Sequence, residues 1–502
     1  MFYRFLFSMA LCLMCLCASL TTQAQELDSL QPATVLTLKE VIDMAKMQSP
    51  AYFQAKNFRE NQYWQWRTYK SNYLPQLVLE GTLPYYTKAY NQILQPDGSI
   101  EVPLQHYSNA NLNLSLNQNV SLTGGQFFVD TRLERYDNFR TDNKGPKYIY
   151  STLPGRIGYR QPISRFNALS WDKKIEPLKY EESQKQYVEE LETMAVTATN
   201  LFFNLLLAQN NLAMALKNQA NNDTIYKIGQ GRYNLGKVAE NELLQLELAL
   251  MNASQEVSQG RLDVETSTLR LKIYIGLTGD QRVQLLPPIT IPEHKLDETV
   301  AIAEARKNRQ SVIAFKRRVL EAERDVAQAK GDNGLNGDLI ATYGVSGTSS
   351  SLNNSYANTV SQQMVQVAFR MPILDWGRSR SIRKTAYAKY EQVKNTVAQD
   401  ELNFDQEVYT QVKQFEMLRE QLKITRKSDD IAQRRYDISK NRYLIGKIGI
   451  TDLNIALTDK DKAKIVYVQS LRNFWNSYYS VRKLTLYDFE TNSPISQPGY
   501  RD

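Results

Sequence analysis

Arg442-Tyr443-Leu444-Ile445-Gly446-Lys447 has a near copy upstream, Arg232-Tyr233-Asn234-Leu235-Gly236-Lys237. The two glycines are 446 − 236 = 210 positions apart. The same offset superimposes Pro162 on Pro372, Lys179-Tyr180-Glu181 on Lys389-Tyr390-Glu391, and Tyr226 on Tyr436, without a gap from Pro162 to the motif. A register held that far indicates a duplication into two large halves, not a short-period solenoid. Each glycine interrupts a long helical pattern that then resumes, so each motif reads as helix, tight turn, helix.

Earlier segments align with a different offset. Ala45 matches Ala305, and 305 − 45 = 260, so the first half holds 260 − 210 = 50 residues that the second lacks. They fall between two helical regions, where the pattern has period two. Ala110, Leu112, Leu114, Leu116, Val120 and Leu122 occupy even positions, against Asn109, Asn111, Asn113, Ser115, Asn117 and Asn119 on odd ones. Such alternation predicts a strand with one apolar and one polar face. Four strands are expected before Pro162, near Gln76–Tyr85, Asn109–Leu122, Gln126–Tyr136 and Arg156–Gln161, and two between Gly337 and Pro372. The Thr123-Gly124-Gly125 turn between the second and third is short, whereas Asn91–His106 and Asp137–Pro154 are expected as long loops.

The rest of each half is helical. Thr37 followed by Glu40 is a capping-box pattern opening a helix with Val41, Ile42 and Ala45, expected to run to about Leu74-Pro75. From Arg378 to Ile445 there is neither Gly nor Pro. Val393, Val397, Phe404, Val408, Val412, Phe415, Leu418 and Leu422 form a coiled-coil-like stripe within it. A helix of that length, at ~1.5 Å per residue, is about 100 Å long and needs neighbours.

Residues 1–24 read as a secretory signal peptide, with Arg4, an apolar run from Phe5 to Leu20, and Thr22-Gln23-Ala24 before the cut. Cys12, Cys15 and Cys17 all lie there, so the mature chain is expected to form no disulfide or thiolate metal site. After it no run of ~18 apolar residues is found, so a membrane crossing would require a closed barrel. A soluble sandwich would alternate in the same way. The signal peptide, together with Tyr85, Tyr86, Tyr90, Tyr148, Tyr150 and Tyr356 near the expected strand ends, favours a membrane wall with an aromatic girdle. The formal charge of +8 is spread without Lys/Arg blocks, which argues against nucleic acid as a partner. The division expected is signal peptide 1–24, first repeat 25–277, linker 278–295, second repeat 296–487 and tail 488–502.

These residues resemble the TolC-like outer membrane efflux protein family. The resemblance rests on the Leu-Thr-Leu-x-Glu opening at Leu36, Leu74-Pro75-Gln76-Leu77 before the first strand, Gln161-Pro162-Ile163 and Met371-Pro372-Ile373-Leu374 where strands end, and the two glycine motifs. It implies an α+β membrane protein: a trimeric outer-membrane β-barrel continued by a long periplasmic α-helical coiled-coil barrel, built from two internal repeats. It further implies a Gram-negative outer-membrane location extending into the periplasm, contact with outer-membrane lipid, and a homotrimer. The partners implied are a periplasmic adaptor protein and an inner-membrane transporter of the RND or ABC type. Residue by residue, Asp452, Glu242 and Tyr443 fall at positions of the periplasmic gate. Gly236, Lys237, Gly446 and Lys447 fall at the tips where the adaptor docks. Ile448 and Ile455 depart from the family's pattern of gate and lock charges.

No enzymatic constellation is legible, and no cofactor is expected. His106 and His294 are the only histidines and lie in different segments. Gly331-Asp332-Asn333-Gly334 follows a helix and precedes a strand, the reverse of the phosphate-binding order. The resemblance implies an exit channel for efflux or type I secretion, with a periplasmic adaptor as the alternative reading. An adaptor would carry compact β domains around one helical hairpin, not two.

Overall fold

The computed structural model describes residues 34–139, 146–279, 281–288, 290–292 and 295–495. The expected signal peptide and all three cysteines lie outside the described residues. Apart from four two-residue strands, the elements in chain order are β1 (Thr34–Thr37), α1 (Leu38–Gln48), α2 (Pro50–Ser71), β2 (Gln76–Tyr90), β3 (Leu104–Val120), β4 (Gly125–Asn138), β5 (Tyr148–Ile163), α3 (Ala168–Asn234), α4 (Glu240–Ile275), β6 (Val283–Leu286), α5 (Glu298–Asn308), α6 (Gln310–Asp332), β7 (Asn336–Ser349), α7 (Leu352–Ala357), β8 (Thr359–Arg370), α8 (Arg378–Leu444) and α9 (Ile450–Thr485). The chain forms two compact units, one of Met1–Phe58, Lys185–Arg309 and Phe404–Asp502, the other of Arg59–Gln184 and Gln310–Asn403.

Element ends repeat at both offsets. The long helices α3 and α8 have 67 residues each and begin 378 − 168 = 210 and end 444 − 234 = 210 positions apart. The returning helices α4 and α9 keep the same interval, 450 − 240 = 210. For α1 and α5 the interval is 298 − 38 = 260, and for β2 and β7 it is 336 − 76 = 260. The change of offset therefore falls inside the sheet, where the first half contributes β2, β3, β4 and β5 and the second only β7 and β8.

The second unit is built on one six-stranded antiparallel sheet in the order β8-β7-β5-β4-β3-β2. All six expected strands are present and longer than the alternation indicated. As a result β3 starts at Leu104 and β5 at Tyr148, inside stretches expected to be loop. Bulges at Thr82/Tyr85, Asp130/Arg132 and Thr152/Gly155 shift the register, which changes which residues share a face beyond them. The β3–β4 turn needs Gly124, at φ +73°. Gly331 ends α6 against the backbone of Phe166, whose nitrogen a Cβ would meet at 2.7 Å. The glycine-rich segment thus turns helix into strand.

The first unit is helical. Thr37 and Glu40 form the expected capping box. The helix it opens stops at Gln48 instead of running to Leu74: Ser49 is extended, as a residue before proline prefers, and α2 restarts at Pro50. The stretch read as a linker carries β6, which pairs in parallel with β1. The core gathers Val41, Ala195, Phe202, Phe203, Leu271, Phe415 and Phe474, all at most 2% exposed. A fully buried phenylalanine contributes about 1.5–3 kcal/mol relative to exposure. The expectation that no later segment is apolar enough to cross a membrane needs correcting: one window of α3 passes by length and composition. That window is 56% buried, because α3 supplies much of this core. Val397, Phe404, Val408, Val412, Phe415, Leu418 and Leu422 of the expected α8 stripe are buried as well.

Candidate functional site

The sheet divides its side chains by chemistry. Paired residues of an antiparallel sheet share a face, so Leu77 opposite Leu116, Leu112 opposite Leu133, Val129 opposite Ile157 and Ala341 opposite Val365 define one face. Many of its large side chains, among them Leu77, Leu114, Val129, Ile157, Val365 and Phe369, are exposed. The opposite face carries Glu80, Asn111, Asn113, Asp130, Arg132, Glu134, Arg156 and Arg160. Arg156 grips Asp130 through two bonds of 2.9 and 2.7 Å. Asn109 Nδ2 donates to Glu134 Oε1 at 2.9 Å. An exposed apolar face of this size on a sheet is a lipid or partner surface, and the polar face is one that water can wet.

Tyrosines at the far strand ends split between the faces. On the apolar side Tyr86 OH bonds His106 Nε2 at 2.8 Å beside Phe139, and Arg135 lies over Tyr148 and Tyr150. Tyr85, expected in the same girdle, faces the other way because the bulge after Thr82 sets it opposite Asn109.

In the helical unit both glycine turns have the same geometry. Gly236 has φ +66°; its N–H donates to the Tyr233 carbonyl at 2.8 Å and the Lys237 N–H to the Arg232 carbonyl at 2.9 Å. Gly446 has φ +74°, with N–H bonds from Gly446 to Tyr443 and from Lys447 to Arg442, both 2.9 Å. These are paired C-terminal helix caps of the Schellman type. A Cβ at either glycine would meet nothing within 4 Å, so the left-handed backbone alone requires glycine. Lys237 and Lys447 are exposed beside Leu235 and Ile445.

Ile225, Leu246, Tyr436, Tyr443, Ile450 and Leu453 form a small core next to these turns. Arg232 lies over the Tyr443 ring at 5.9 Å. Burial raises the Tyr443 phenol above its ordinary value, the Arg232 charge opposing and the Glu242 charge adding. The structure therefore brings Tyr443, Arg232 and Glu242 together. Asp452 stands in the first turn of α9 as Glu242 does in α4, 452 − 242 = 210, and is exposed. Ile448 packs against the small core, and Ile455 is exposed.

A charged network elsewhere in this unit has no sequence signature. Glu192 is 1% exposed and accepts from Lys46 Nζ at 2.6 Å and Arg482 Nε at 3.3 Å. Arg482 also holds Asp488 at 2.8 Å. Burial would raise the Asp488 carboxyl, but Arg482 and the N–H groups of Glu490 and Thr491 keep it below the usual range. A cavity of about 790 Å³ lies alongside, lined in part by Lys46, Trp475, Tyr479 and Arg482. Among the described residues no group of three or more His, Cys, Asp or Glu could hold a metal ion.

Residues 301–485 match the model of the outer membrane efflux protein family. Among solved structures, the Campylobacter jejuni CmeC outer membrane channel is 17% identical, covers 89% of this chain and 85% of its own, and has a TM-score of 0.64. The Vibrio cholerae outer membrane protein VceC is 12% identical, with 89% and 95% covered and a TM-score of 0.62. The Neisseria gonorrhoeae MtrE channel is 14% identical, with 89% and 88% covered and a TM-score of 0.59. No curated protein matches the chain. Residues 301–485 thus match the outer membrane efflux protein model, and the chain shares the fold of these solved outer-membrane channels.

Proposed function

We propose that this protein is the outer-membrane exit channel of a tripartite efflux or type I secretion system, acting as a homotrimer with a periplasmic adaptor and an inner-membrane pump of the RND or ABC type. The observation that carries the reading is the six-stranded sheet, apolar on one face, polar on the other, and paired at neither edge with any strand among the described residues. Unpaired edges invite another strand. Since β2 and β8 run in opposite directions, β2 of one copy can pair antiparallel with β8 of the next. Three copies then close 6 × 3 = 18 strands, a number that leaves an aqueous lumen. The apolar face meets outer-membrane lipid and the polar face lines the lumen.

The helices support the same stoichiometry. Met417, Ile424, Ile431 and Ile438 lie seven apart on α8, opposite the buried stripe, and all are exposed. Leu244, Leu248, Met251, Leu262 and Leu269 on α4, at helical intervals of 4, 3, 11 and 7, are exposed as well. Such stripes are seams for further helices, and neighbouring copies supply them in the periplasm. In this reading Gly236, Lys237, Gly446 and Lys447 dock the adaptor. Asp452 rings the closed entrance, and Tyr443 with Glu242 holds that entrance shut. The channel does no covalent chemistry.

The test is mass determination in mild detergent after membrane fractionation, followed by conductance in planar bilayers. A trimer extracted from the outer membrane that conducts ions is expected; a folded monomer in the soluble fraction would overturn the proposal.

A further inference from the structure

The membrane accounts for Tyr86, Tyr148 and Tyr150, which share the apolar face, but not for the tyrosines on the other side of the same strand ends. Tyr85, Tyr107 and Tyr136 share the polar face: Tyr85 and Tyr136 both sit opposite Asn109, and Tyr107 lies diagonal to each. Ring centroids are 6.4 Å apart for Tyr85 and Tyr107 and 5.1 Å for the stacked pair Tyr107 and Tyr136. Tyr85 is 56% exposed, so the track is open on that face. Directly along β3 the same face continues as Asn109, Asn111 and Asn113, one amide every ~7 Å. The Asn111 and Asn113 side chains make no hydrogen bond to any described residue. Their cross-strand neighbours are Glu80, Arg132 and Glu134.

We propose that this aromatic and amide track is a binding site for saccharides, or for solutes carrying them, on their way through the lumen. The proposal rests on the channel reading, which makes the polar face the lumen. The chemistry selects the ligand class. An apolar solute would leave the free amides without partners, which is unfavourable when water is displaced. A strongly charged solute meets both signs at once in Glu80, Glu134 and Arg132. A pyranose ring has a C–H face that packs on a phenol ring and a rim of hydroxyls that both donate and accept. Asparagine amides match that rim, each offering two donors and an acceptor.

The trimer in a planar bilayer, exposed to maltohexaose, tests this. The saccharide is expected to interrupt the current in a saturable manner. Tyr107→Ala combined with Tyr136→Ala should raise the half-blocking concentration about three- to tenfold, the worth of one or two aromatic contacts. Tyr85→Ala, which removes an exposed side chain and leaves the β2 backbone free to pair with the neighbouring copy, should raise it in the same direction. Tyr86→Ala, one residue away on the lipid side, should leave it unchanged. A channel that conducts but is not blocked overturns this inference alone. So does a block indifferent to Tyr85, Tyr107 and Tyr136, or one matched by a polyethylene glycol of equal size with the same dependence on the tyrosines. A protein that conducts nothing overturns the channel reading itself.

Discussion

The Arg232 guanidinium lies 5.9 Å over the ring of Tyr443, joining the end of α3 to the end of α8. Each residue comes from a different copy of the duplicated motif. Their counterparts, Arg442 and Tyr233, are exposed, Tyr233 by 39% where Tyr443 is only 5%. One sequence motif therefore serves two ends: the first copy supplies a cation to the small core beside the turns, and the second supplies the ring that fills it.

Removing that ring should loosen the turns. Tyr443→Ala deletes a buried aromatic and is expected to cost about 3–5 kcal/mol locally, seen as faster amide exchange in the ends of α3 and α8. Tyr443→Phe keeps the packing. The phenol is raised above its ordinary value mainly by burial. A raised value means that the neutral form is the one the fold favours, so the stabilisation is complete below the ordinary tyrosine value of about 10. It is lost as pH rises through the higher folded value. Exchange in these helix ends should accelerate at alkaline pH in the parent protein, and the Tyr443→Phe variant should lack that step.

The turns themselves give a second expectation. At φ +74°, Gly446→Ala is strained despite the open space around it. It should cost about 1–2 kcal/mol, with Gly446→Asn costing less. Lys447→Glu changes an exposed side chain and leaves the cap intact, so stability should be unchanged while adaptor affinity falls. Calorimetry beside an adaptor-binding titration separates the two variants. Equal loss of stability in both would show that the cap explanation is wrong.

Much of this architecture was legible because its signals are local or periodic. The two offsets located the duplication and the extra hairpin, and the asparagine–leucine alternation assigned the faces of β3. Strand ends were harder: Tyr85–Tyr90 and Tyr148–Pro154 carry no clean alternation, and only cross-strand pairing extends the strands through them. The side taken by Tyr85 depends on one bulge, and a one-residue shift reverses every face beyond it. Glu192 was invisible for another reason. Its partners stand 146 and 290 residues away along the chain, so no spacing announces them.

That network should be sensitive to the removal of one member. Glu192→Ala leaves Lys46 and Arg482 facing each other without their shared anion. Breaking a buried pair from one side typically costs about 3–5 kcal/mol. A lower unfolding temperature is expected. The exposed pair Lys227 and Asp223 on α3 is the comparison, since surface pairs are worth about 0–1 kcal/mol. If Asp223→Ala lowers the unfolding temperature as much as Glu192→Ala does, burial is not what gives Glu192 its weight.

The assignment of the two sheet faces can be tested at adjacent residues of β3. Leu114 belongs to the apolar row, opposite Leu79 and Thr131. Asn113 points the other way, between Glu80 and Arg132. An arginine on the lipid side near the middle of the membrane costs about 2–4 kcal/mol, whereas an arginine lining an aqueous lumen stays hydrated. Leu114→Arg should therefore reduce assembly into the outer membrane and lower the temperature at which the folded oligomer dissociates in detergent. Asn113→Arg should assemble normally and instead lower cation selectivity, because it adds positive charge to the polar face. A soluble sandwich would show the same order of sensitivity, since its apolar face would be covered by protein and its polar face would meet bulk water; outer-membrane location and the change in cation selectivity are what separate it from the channel. Normal assembly of Leu114→Arg, or failed assembly of Asn113→Arg alone, would mean that the apolar row does not face lipid.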